Sequence, residues 1–108
     1  TNAFQSNQLI NTLKTLNLEK NNLVDLDENT FKNLRNLYVL NLRQNRIQVL
    51  KDGLFSDLRN LKKLNIEKNR IKTIYRNSFM GLENLLVLYL ENMQLIELLP
   101  FSFNDLKM

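Results

Sequence analysis

Apolar residues recur along the chain at a fixed spacing of 24 residues. When the sequence is written in lines of that length, Leu or Ile fills six columns and Phe fills a seventh. Self-similarity at one period predicts a chain built from stacked copies of one structural unit. We therefore expect four full units without insertions, at residues 13–36, 37–60, 61–84 and 85–108, preceded by a partial unit at residues 1–12.

Each unit combines two kinds of apolar spacing. Apolar and polar residues alternate in Thr15-Leu16-Asn17-Leu18-Glu19, and this period of two predicts a short strand with one buried face. Towards the end of the unit the apolar residues lie three apart, a spacing that suits a 3₁₀ or helical turn. Because one unit cannot bury its apolar face alone, the units must stack with their strands in a parallel sheet and their returns behind it.

The consensus LxxLxLxxNxLxxLxxxxFxxLxx runs through residues 13–108 and resembles the typical 24-residue class of leucine-rich repeat. The resemblance implies an α/β solenoid, a right-handed horseshoe with a parallel sheet on the concave face and 3₁₀ or loop returns on the convex face. This class is common in extracellular receptors and matrix proteins, such as toll-like receptors, slit proteins, small leucine-rich proteoglycans and leucine-rich-repeat G-protein-coupled receptors. The length of 108 residues fits a single repeat domain over residues 1–108.

One polar column accompanies the apolar columns where each strand ends, and it holds Asn21, Asn45 and Asn69. A carboxamide can accept and donate, so we expect these side chains to satisfy backbone groups of the turn that would otherwise be buried without partners. An Asn-rich binding motif is the alternative, but the strict repeat favours a structural ladder. Met93 takes this place in the last unit, which indicates a remodelled turn or a position near the end of the repeat array.

A second structural column holds Phe, and we expect its rings to stack along the back of the solenoid as a Phe spine. Its members are Phe31, Phe55, Phe79 and Phe103. An aromatic ligand box is the weaker alternative, because the rings recur at the repeat period beside core leucines. Another column holds residue types that tolerate positive φ best, and we expect left-handed backbone there, at Asn29, Gly53 and Asn77.

Ligand contacts are expected from strand residues that point away from the core, because the flanking leucines fix which positions face the concave surface. Tyr89 is the first candidate for a binding hot spot, since Tyr is enriched at interfaces. The candidate ligand-binding residues are Asn17, Glu19, Lys20, Val39, Asn41, Arg43, Gln44, Lys63, Asn65, Glu67, Lys68, Val87, Tyr89 and Glu91.

Charges alternate in one row of this surface, where Arg43 stands one repeat after Glu19 and one repeat before Glu67. Neighbouring strands lie about 4.8 Å apart, so we expect lateral ion pairs, each contributing about 0 to 1 kcal/mol. A solvated face that avoids contacts between like charges explains the row as well as a ligand-reading surface does.

Positive charge is concentrated in the middle of the chain, whose net charge is +4. Lys63 and Lys68 predict a basic spot on the concave surface, with Arg46 and Arg70 beside it in the loop after the Asn column. An acidic protein or a sulfated glycan would be attracted to this spot, although solvated surface charge explains the same residues.

The composition gives little support to catalysis. His and Cys are absent, and the chain has two glycines, too few for a glycine-rich phosphate loop. We therefore expect no catalytic residues, no metal site and no cofactor. Interspersed carboxylates and the lack of a recognition motif predict no nucleic-acid partner. No apolar run approaches the roughly 18 residues of a membrane helix, so no membrane insertion of this segment is expected.

The main hypothesis is a protein-recognition module of a receptor or adhesion ectodomain, with a protein or peptide ligand on the concave face. The resemblance places the parent protein outside the cell or at its surface. The alternatives are structural spacer repeats and an intracellular scaffold without ligand contacts of its own. Because the chain begins at Thr1 and shows no cap sequence, flanking repeats of a longer parent chain are expected at its ends.

Overall fold

Short parallel strands, stacked one per unit, form one side of the molecule. The computed structural model describes residues 12–91, the backbone of residues 97–98 and residue 106. Its strands are β1 (Thr15–Asn17), β2 (Val39–Asn41), β3 (Lys63–Asn65), β4 (Thr73–Ile74), β5 (Val87–Tyr89) and β6 (Glu97–Leu98). The main sheet has the order β1-β2-β3-β5. Each of its strands pairs in parallel with residues 24 positions away, so the parallel sheet predicted from the repeat is confirmed.

A second, smaller sheet was missing from the sequence prediction, which assigned one strand to each unit. Strand β4 pairs in parallel with β6, and an isolated parallel bridge joins Val49 to Thr73. These pairings also join residues 24 positions apart, so they follow the register of the main sheet. Strands of two residues are too short to show an alternation of apolar and polar side chains, which is why the sequence pattern does not reveal them.

The alternation along the strands decides which side chains enter the core. Leu16, Leu40 and Leu64 are buried in the middle of their strands, and the residues on either side of each are exposed or half-buried. Behind the sheet Phe31 and Phe55 are fully buried, and their rings stack with centroids 6.0 Å apart. Phe79 is also fully buried, and Phe103 lies outside the described residues.

The returns between strands are built from consecutive hydrogen-bonded turns. In the first described unit the N–H of Leu34 donates to the carbonyl of Phe31 at 3.4 Å, and the N–H of Leu37 donates to that of Leu34 at 3.2 Å. Corresponding bonds at 3.0 to 3.2 Å recur in the next two units. The three-residue spacing of the buried side chains therefore coincides with turns that bond residues three apart.

The carboxamide of Asn45 joins two adjacent units where their strands end. Its Oδ1 accepts from the backbone N–H of Asn21 at 2.9 Å and of Leu23 at 3.0 Å. Its Nδ2 donates to the carbonyl of Leu18 at 3.0 Å and to that of Leu42 at 2.9 Å. Backbone groups of both units thus find partners in one buried side chain, whose exposed fraction is 5%.

Asn69 repeats this arrangement one unit later. Its Oδ1 accepts from the N–H of Ile47 at 3.1 Å, and its Nδ2 donates to the carbonyls of Leu42 and Ile66 at 2.9 and 3.0 Å. Asn21, the first described member of the column, is exposed, and its Nδ2 donates to the carbonyl of Glu19 at 3.2 Å. Met93, the departure from the column, lies outside the described residues.

A second column of carboxamides joins the returns and was not recognised in the sequence. Asn60 Nδ2 donates to the carbonyl of Arg35 at 2.7 Å, and Asn84 Nδ2 donates to that of Arg59 at the same distance. Each bond reaches back into the preceding unit. The signal was available, since Asn36, Asn60 and Asn84 occupy the last position of three consecutive units.

The prediction of left-handed backbone is right at Gly53, with φ of 78°, and wrong at Asn29 and Asn77. The N–H of Asn29 donates to Asp27 Oδ1 at 2.7 Å, and the carbonyl of Asn77 accepts from the N–H of Met80 at 3.2 Å, so both residues belong to ordinary turns. Positive φ instead recurs at the strand exits, at Lys20, Gln44 and Lys68, where the chain must leave the sheet.

Gly81 should tolerate no side chain, and Gly53 provides a matched control. A Cβ on Gly81 would lie 2.6 Å from the Cα and carbonyl oxygen of Ser56, whereas a Cβ on Gly53 would meet nothing nearer than 4.0 Å. Both residues have positive φ, so alanine should cost about 1 to 2 kcal/mol at either from the backbone alone. Gly81→Ala should cost about 1 to 3 kcal/mol more than Gly53→Ala, in urea denaturation of the two variants. Equal losses would contradict the close approach.

Asn69→Ala should lower the free energy of unfolding by about 1 to 3 kcal/mol, because backbone groups of two units lose their partners. Asn21→Ala is the control, since that carboxamide is exposed and should contribute less. Chemical denaturation followed by circular dichroism measures both. A loss at Asn21 as large as the loss at Asn69 would show that burial of the ladder does not set its contribution.

Candidate binding face

The solvent side of the main sheet, which we call the strand face, is formed by residues on both sides of each buried strand leucine. One row of it contains Thr15, Val39, Lys63 and Val87, and the next contains Asn17, Asn41, Asn65 and Tyr89. Each residue lies directly beside its counterpart in the neighbouring unit, as the register of the sheet requires. All eight are exposed or half-buried, so the structure brings the seven candidate contact residues among them together on one surface, with Thr15 beside them.

The side-chain oxygens of the strand-face asparagines accept hydrogen bonds from the backbone of their own units. Asn17 Oδ1 accepts from the N–H of Glu19 at 3.0 Å, and Asn41 Oδ1 accepts from that of Arg43 at 3.0 Å. Asn65 forms the equivalent bond at 2.9 Å. These bonds shape the strand exits, so the carboxamide oxygens are engaged within the fold. The Nδ2 of Asn41 also donates to Glu19 Oε1, and the Nδ2 groups of Asn17 and Asn65 are the parts left to meet a ligand.

Arg43 lies between two carboxylates of neighbouring units. Its Nη1 is 2.8 Å from Glu19 Oε2, and its Nε is 3.8 Å from Glu67 Oε1. Nη1 also donates to Gln44 Oε1 at 2.6 Å. The three ionised side chains are 17 to 29% exposed, and the lateral pairing expected from the strand spacing is present. The charge of Arg43 is thus compensated by carboxylates of the units on either side, and the three side chains together carry a net charge of −1.

The guanidinium of Arg43 lowers the pKa of Glu19, first through its hydrogen bond and then through its charge. A hydrogen bond from Asn41 Nδ2, 3.2 Å from Glu19 Oε1, acts in the same direction. Burial opposes both effects by raising the pKa, but the net direction is downward. The carboxylate form of Glu19 is therefore favoured by its neighbours on the strand face.

Lys20, Gln44 and Lys68 follow the charged row at the border of the strand face. Their N–H groups continue the parallel hydrogen bonding, with that of Gln44 donating to the carbonyl of Glu67 at 3.0 Å. Left-handed φ values of 55 to 60° then turn the chain away from the sheet. Gln44 and Lys68 consequently line a groove beside the sheet, which we call the loop groove, together with Asn22, Asn45, Arg46, Asn69 and Arg70.

Tyr89 gives the strand face its largest exposed apolar surface, with 43% of the residue accessible. It takes the place of the asparagine found in the three preceding units, so no carboxamide bond engages this side chain. Val87 is half-buried two residues earlier, and Leu86 is 67% exposed beside it. An aromatic ring with a hydroxyl at one end, next to aliphatic side chains, can make both apolar and hydrogen-bonded contacts with a partner.

Two further properties concern the described residues alone. They contain no group of three or more His, Cys, Asp or Glu side chains placed to hold a metal ion. Within the same ranges, no helix has the length and apolar character needed to cross a membrane.

Comparison with known proteins gives one family match. The family model described as leucine rich repeat matches residues 11–59 and again residues 35–95, so it covers most of the chain. No curated protein sequence matches. Among solved structures, the chain is similar to a crystal structure of a TLR13–ssRNA13 complex, with 38% sequence identity and a TM-score of 0.75. The match covers 78% of this chain but only 12% of the solved chain.

The sequence prediction that excluded a nucleic-acid partner is wrong as an exclusion. The similar solved chain was crystallised in a complex with single-stranded RNA. At least one protein with repeats similar to these therefore binds a nucleic acid. The prediction rested on interspersed carboxylates and on the lack of a recognition motif, and neither property excludes a nucleic-acid partner. A repeat protein presents several surfaces, and the net charge of the chain does not give the charge of any one of them.

The pKa of Glu19 tests the geometry of the charged row. Because the folded pKa lies below the ordinary Glu value, the pair stabilises the protein above that value and loses its effect as the pH falls through the folded pKa. An NMR titration of the Glu19 carboxyl should give a midpoint below that of Glu in a peptide. Arg43→Gln should raise the midpoint towards the ordinary value, and Lys14→Gln, which removes a cation elsewhere, should not. An unchanged midpoint in Arg43→Gln would disprove the pairing.

Proposed function

Because the chain belongs to the leucine-rich repeat family, we propose that it is a recognition segment whose strand face binds a protein or peptide ligand. The observation that carries the proposal is that the core residues and the surface residues of the sheet occupy separate columns of the repeat. The repeat columns that build the core are buried, whereas the rows of the strand face stay at the surface. The row that begins with Thr15 varies along the units, and the row that begins with Asn17 keeps Asn in three units and changes to Tyr89 in the fourth. The proposed contact residues are the fourteen side chains predicted from the sequence, which are those of the strand face other than Thr15, the charged row completed by Glu91, and the row at its border.

The proposal assigns the highest affinity contribution to Tyr89 and a specificity role to the charged row. Tyr89 offers exposed area at low conformational cost, and such residues are common hot spots. Arg43 is already bonded to Glu19, so a partner must either replace those contacts or match the alternating charges. Charged rows of this kind select among partners more than they add affinity.

The architecture proposed for the chain is a right-handed horseshoe with 3₁₀ returns, in which the strand face is the concave surface. We propose a single repeat domain, residues 1–108, with full units at 13–36, 37–60, 61–84 and 85–108. The 24-residue pairing register and the turns that bond residues three apart support this arrangement.

The parent protein is proposed to be a receptor or adhesion ectodomain, outside the cell, at its surface or in an endosome, with no catalytic activity in this segment. The similarity to TLR13 supports a receptor, although the chain spans only 12% of that protein's length. The competing proposals are structural spacer repeats and an intracellular scaffold. Both predict that the strand face contributes nothing to the free energy of ligand binding.

A second candidate ligand is single-stranded RNA. The specific observation in its favour is the solved complex of TLR13 with ssRNA13, which shares 38% identity with this chain. Fluorescence anisotropy of a labelled single-stranded RNA oligonucleotide mixed with the chain tests this candidate. Affinity that depends on Tyr89 would make RNA the ligand of the strand face, and affinity that is lost entirely at moderate salt would indicate non-specific attraction.

Tyr89→Ala should weaken binding of the chain to its protein ligand by about tenfold or more, as truncation of a hot-spot residue does. The ligand would first be selected from an array of purified secreted proteins, and its affinity then measured by calorimetry. Tyr38→Ala is a matched control, because Tyr38 is 50% exposed but lies before strand β2, outside the strand face.

The outcome separates the competing proposals. If Tyr89→Ala and Tyr38→Ala bind the ligand equally well, the strand face does not contact the ligand. That result would favour the proposal of structural spacer repeats. Arg43→Gln adds a second test that leaves the fold less disturbed than charge reversal, since a carboxylate at this position would stand between Glu19 and Glu67.

A further inference from the structure

The loop groove carries positive charge, and no carboxylate of the described residues lines it. Its lining consists of Asn22, Gln44, Asn45, Arg46, Lys68, Asn69 and Arg70, around a volume of about 370 Å³. We propose that the loop groove is a binding site for a sulfated glycan, centred on Arg46 and Arg70 and sharing Gln44 and Lys68 with the border of the strand face.

Three cations of the groove have no side-chain partner among the described residues. Arg46, Lys68 and Arg70 are exposed, and in residues 12–91 none of them forms an ion pair or a side-chain hydrogen bond. Arg43, in the adjacent row, differs because two carboxylates compensate its charge. Arg46, Lys68 and Arg70 therefore give the groove three cations, and Lys63 is an exposed cation of the strand face beside it.

The polar groups of the groove floor are fixed by the fold. The carboxamides of Asn45 and Asn69 bond to backbone groups of adjacent units and hold the loops that carry the arginines. Gln44 is held by Arg43, which donates to its Oε1 and leaves its amide N–H groups available. The exposed amide of Asn22 adds further donors. The amide groups of Gln44 and Asn22, beside three cations, suit a ligand that carries both hydroxyl and sulfate groups.

Every side chain of the lining is charged or an amide, and this property selects the class of ligand. Single-stranded RNA binds through stacking of bases on aromatic rings, and no ring lines the groove. Peptide ligands usually bury apolar anchors, which would find no apolar side chain here. A sulfated glycan has neither bases nor apolar anchors, and all of its recognisable groups match the lining.

The neighbouring carboxylates confine a polyanion to the groove. Glu19, Glu67 and Glu91 share with Arg43 the row between the groove and the centre of the strand face. Three carboxylates against one guanidinium leave the row a net charge of −2, which would repel an anionic chain laid across the sheet. Arg46 and Arg70 occupy equivalent positions one unit apart, where neighbouring strands are separated by about 4.8 Å. Their guanidinium forks can each hold one oxyanion of the same chain.

The test compares two double variants of the whole chain that lose the same charge. Arg46→Gln with Arg70→Gln removes two groove cations, and Arg35→Gln with Lys51→Gln removes two exposed cations outside the groove. Calorimetry would measure the affinity of each for a heparin-derived hexasaccharide, with its desulfated form as a second probe. We expect the groove variant to bind the sulfated probe about tenfold or more weakly, and the control to stay within about threefold of the parent.

Circular dichroism of both variants checks that folding is retained, and Arg46→Lys with Arg70→Lys offers a milder change that keeps the charge. Equal loss in groove and control variants would show diffuse attraction and overturn the proposal. Tighter groove-dependent binding of a single-stranded RNA or of a polyglutamate peptide would overturn it in favour of another ligand. Binding that depends on Tyr89 and not on Arg46 would likewise overturn it while leaving the function of the strand face intact.

Discussion

Hydrogen bonding of each unit to the equivalent residues of the next unit is the constraint on which the rest of the structure depends. The backbone bonds run from the strands into the exits, as in the donation from Leu18 N–H to the carbonyl of Asn41 at 2.8 Å. Where the backbone can no longer pair with itself, the carboxamides of Asn45 and Asn69 continue the connection. A polar group left unpaired at these buried positions would cost more than the bond itself contributes, so the turn and its Asn depend on each other.

The same register determines the chemistry of the surface. Because residues 24 positions apart are direct neighbours, a column of the sequence becomes a row on the protein. Glu19, Arg43 and Glu67 therefore form a compensated row, while Arg46 and Arg70 form an uncompensated pair a few residues further along. Two surfaces with different electrostatics arise side by side from one repeat, which is why the net charge of +4 describes neither of them.

Sequence periodicity predicts the burial and pairing that every unit shares. It fails for backbone conformations and side-chain hydrogen bonds that neighbouring residues determine. The buried columns, the parallel register and the lateral pairing of Arg43 follow from spacing alone. The left-handed residues do not, because Lys20 and Lys68 are placed by the exit of the chain from the sheet and not by residue type. The oxygen of Asn17 likewise bonds two residues ahead, so a residue that periodicity leaves free for a ligand is partly engaged in the fold.

Residues that depart from the repeat are ones that the fold does not require, so they can serve binding. Columns that must pack or bond, such as the one containing Asn45, accept few substitutions, since each change removes contacts from two units. At the position of Tyr89 the three preceding units all have asparagine, and the phenol neither repeats that bond nor enters the core. The stability of the sheet does not require this ring, so its exposed area is available to a partner at little cost to folding. Residues of this kind, placed with precision by a regular scaffold, are where binding specificity can differ between proteins that share the same repeat.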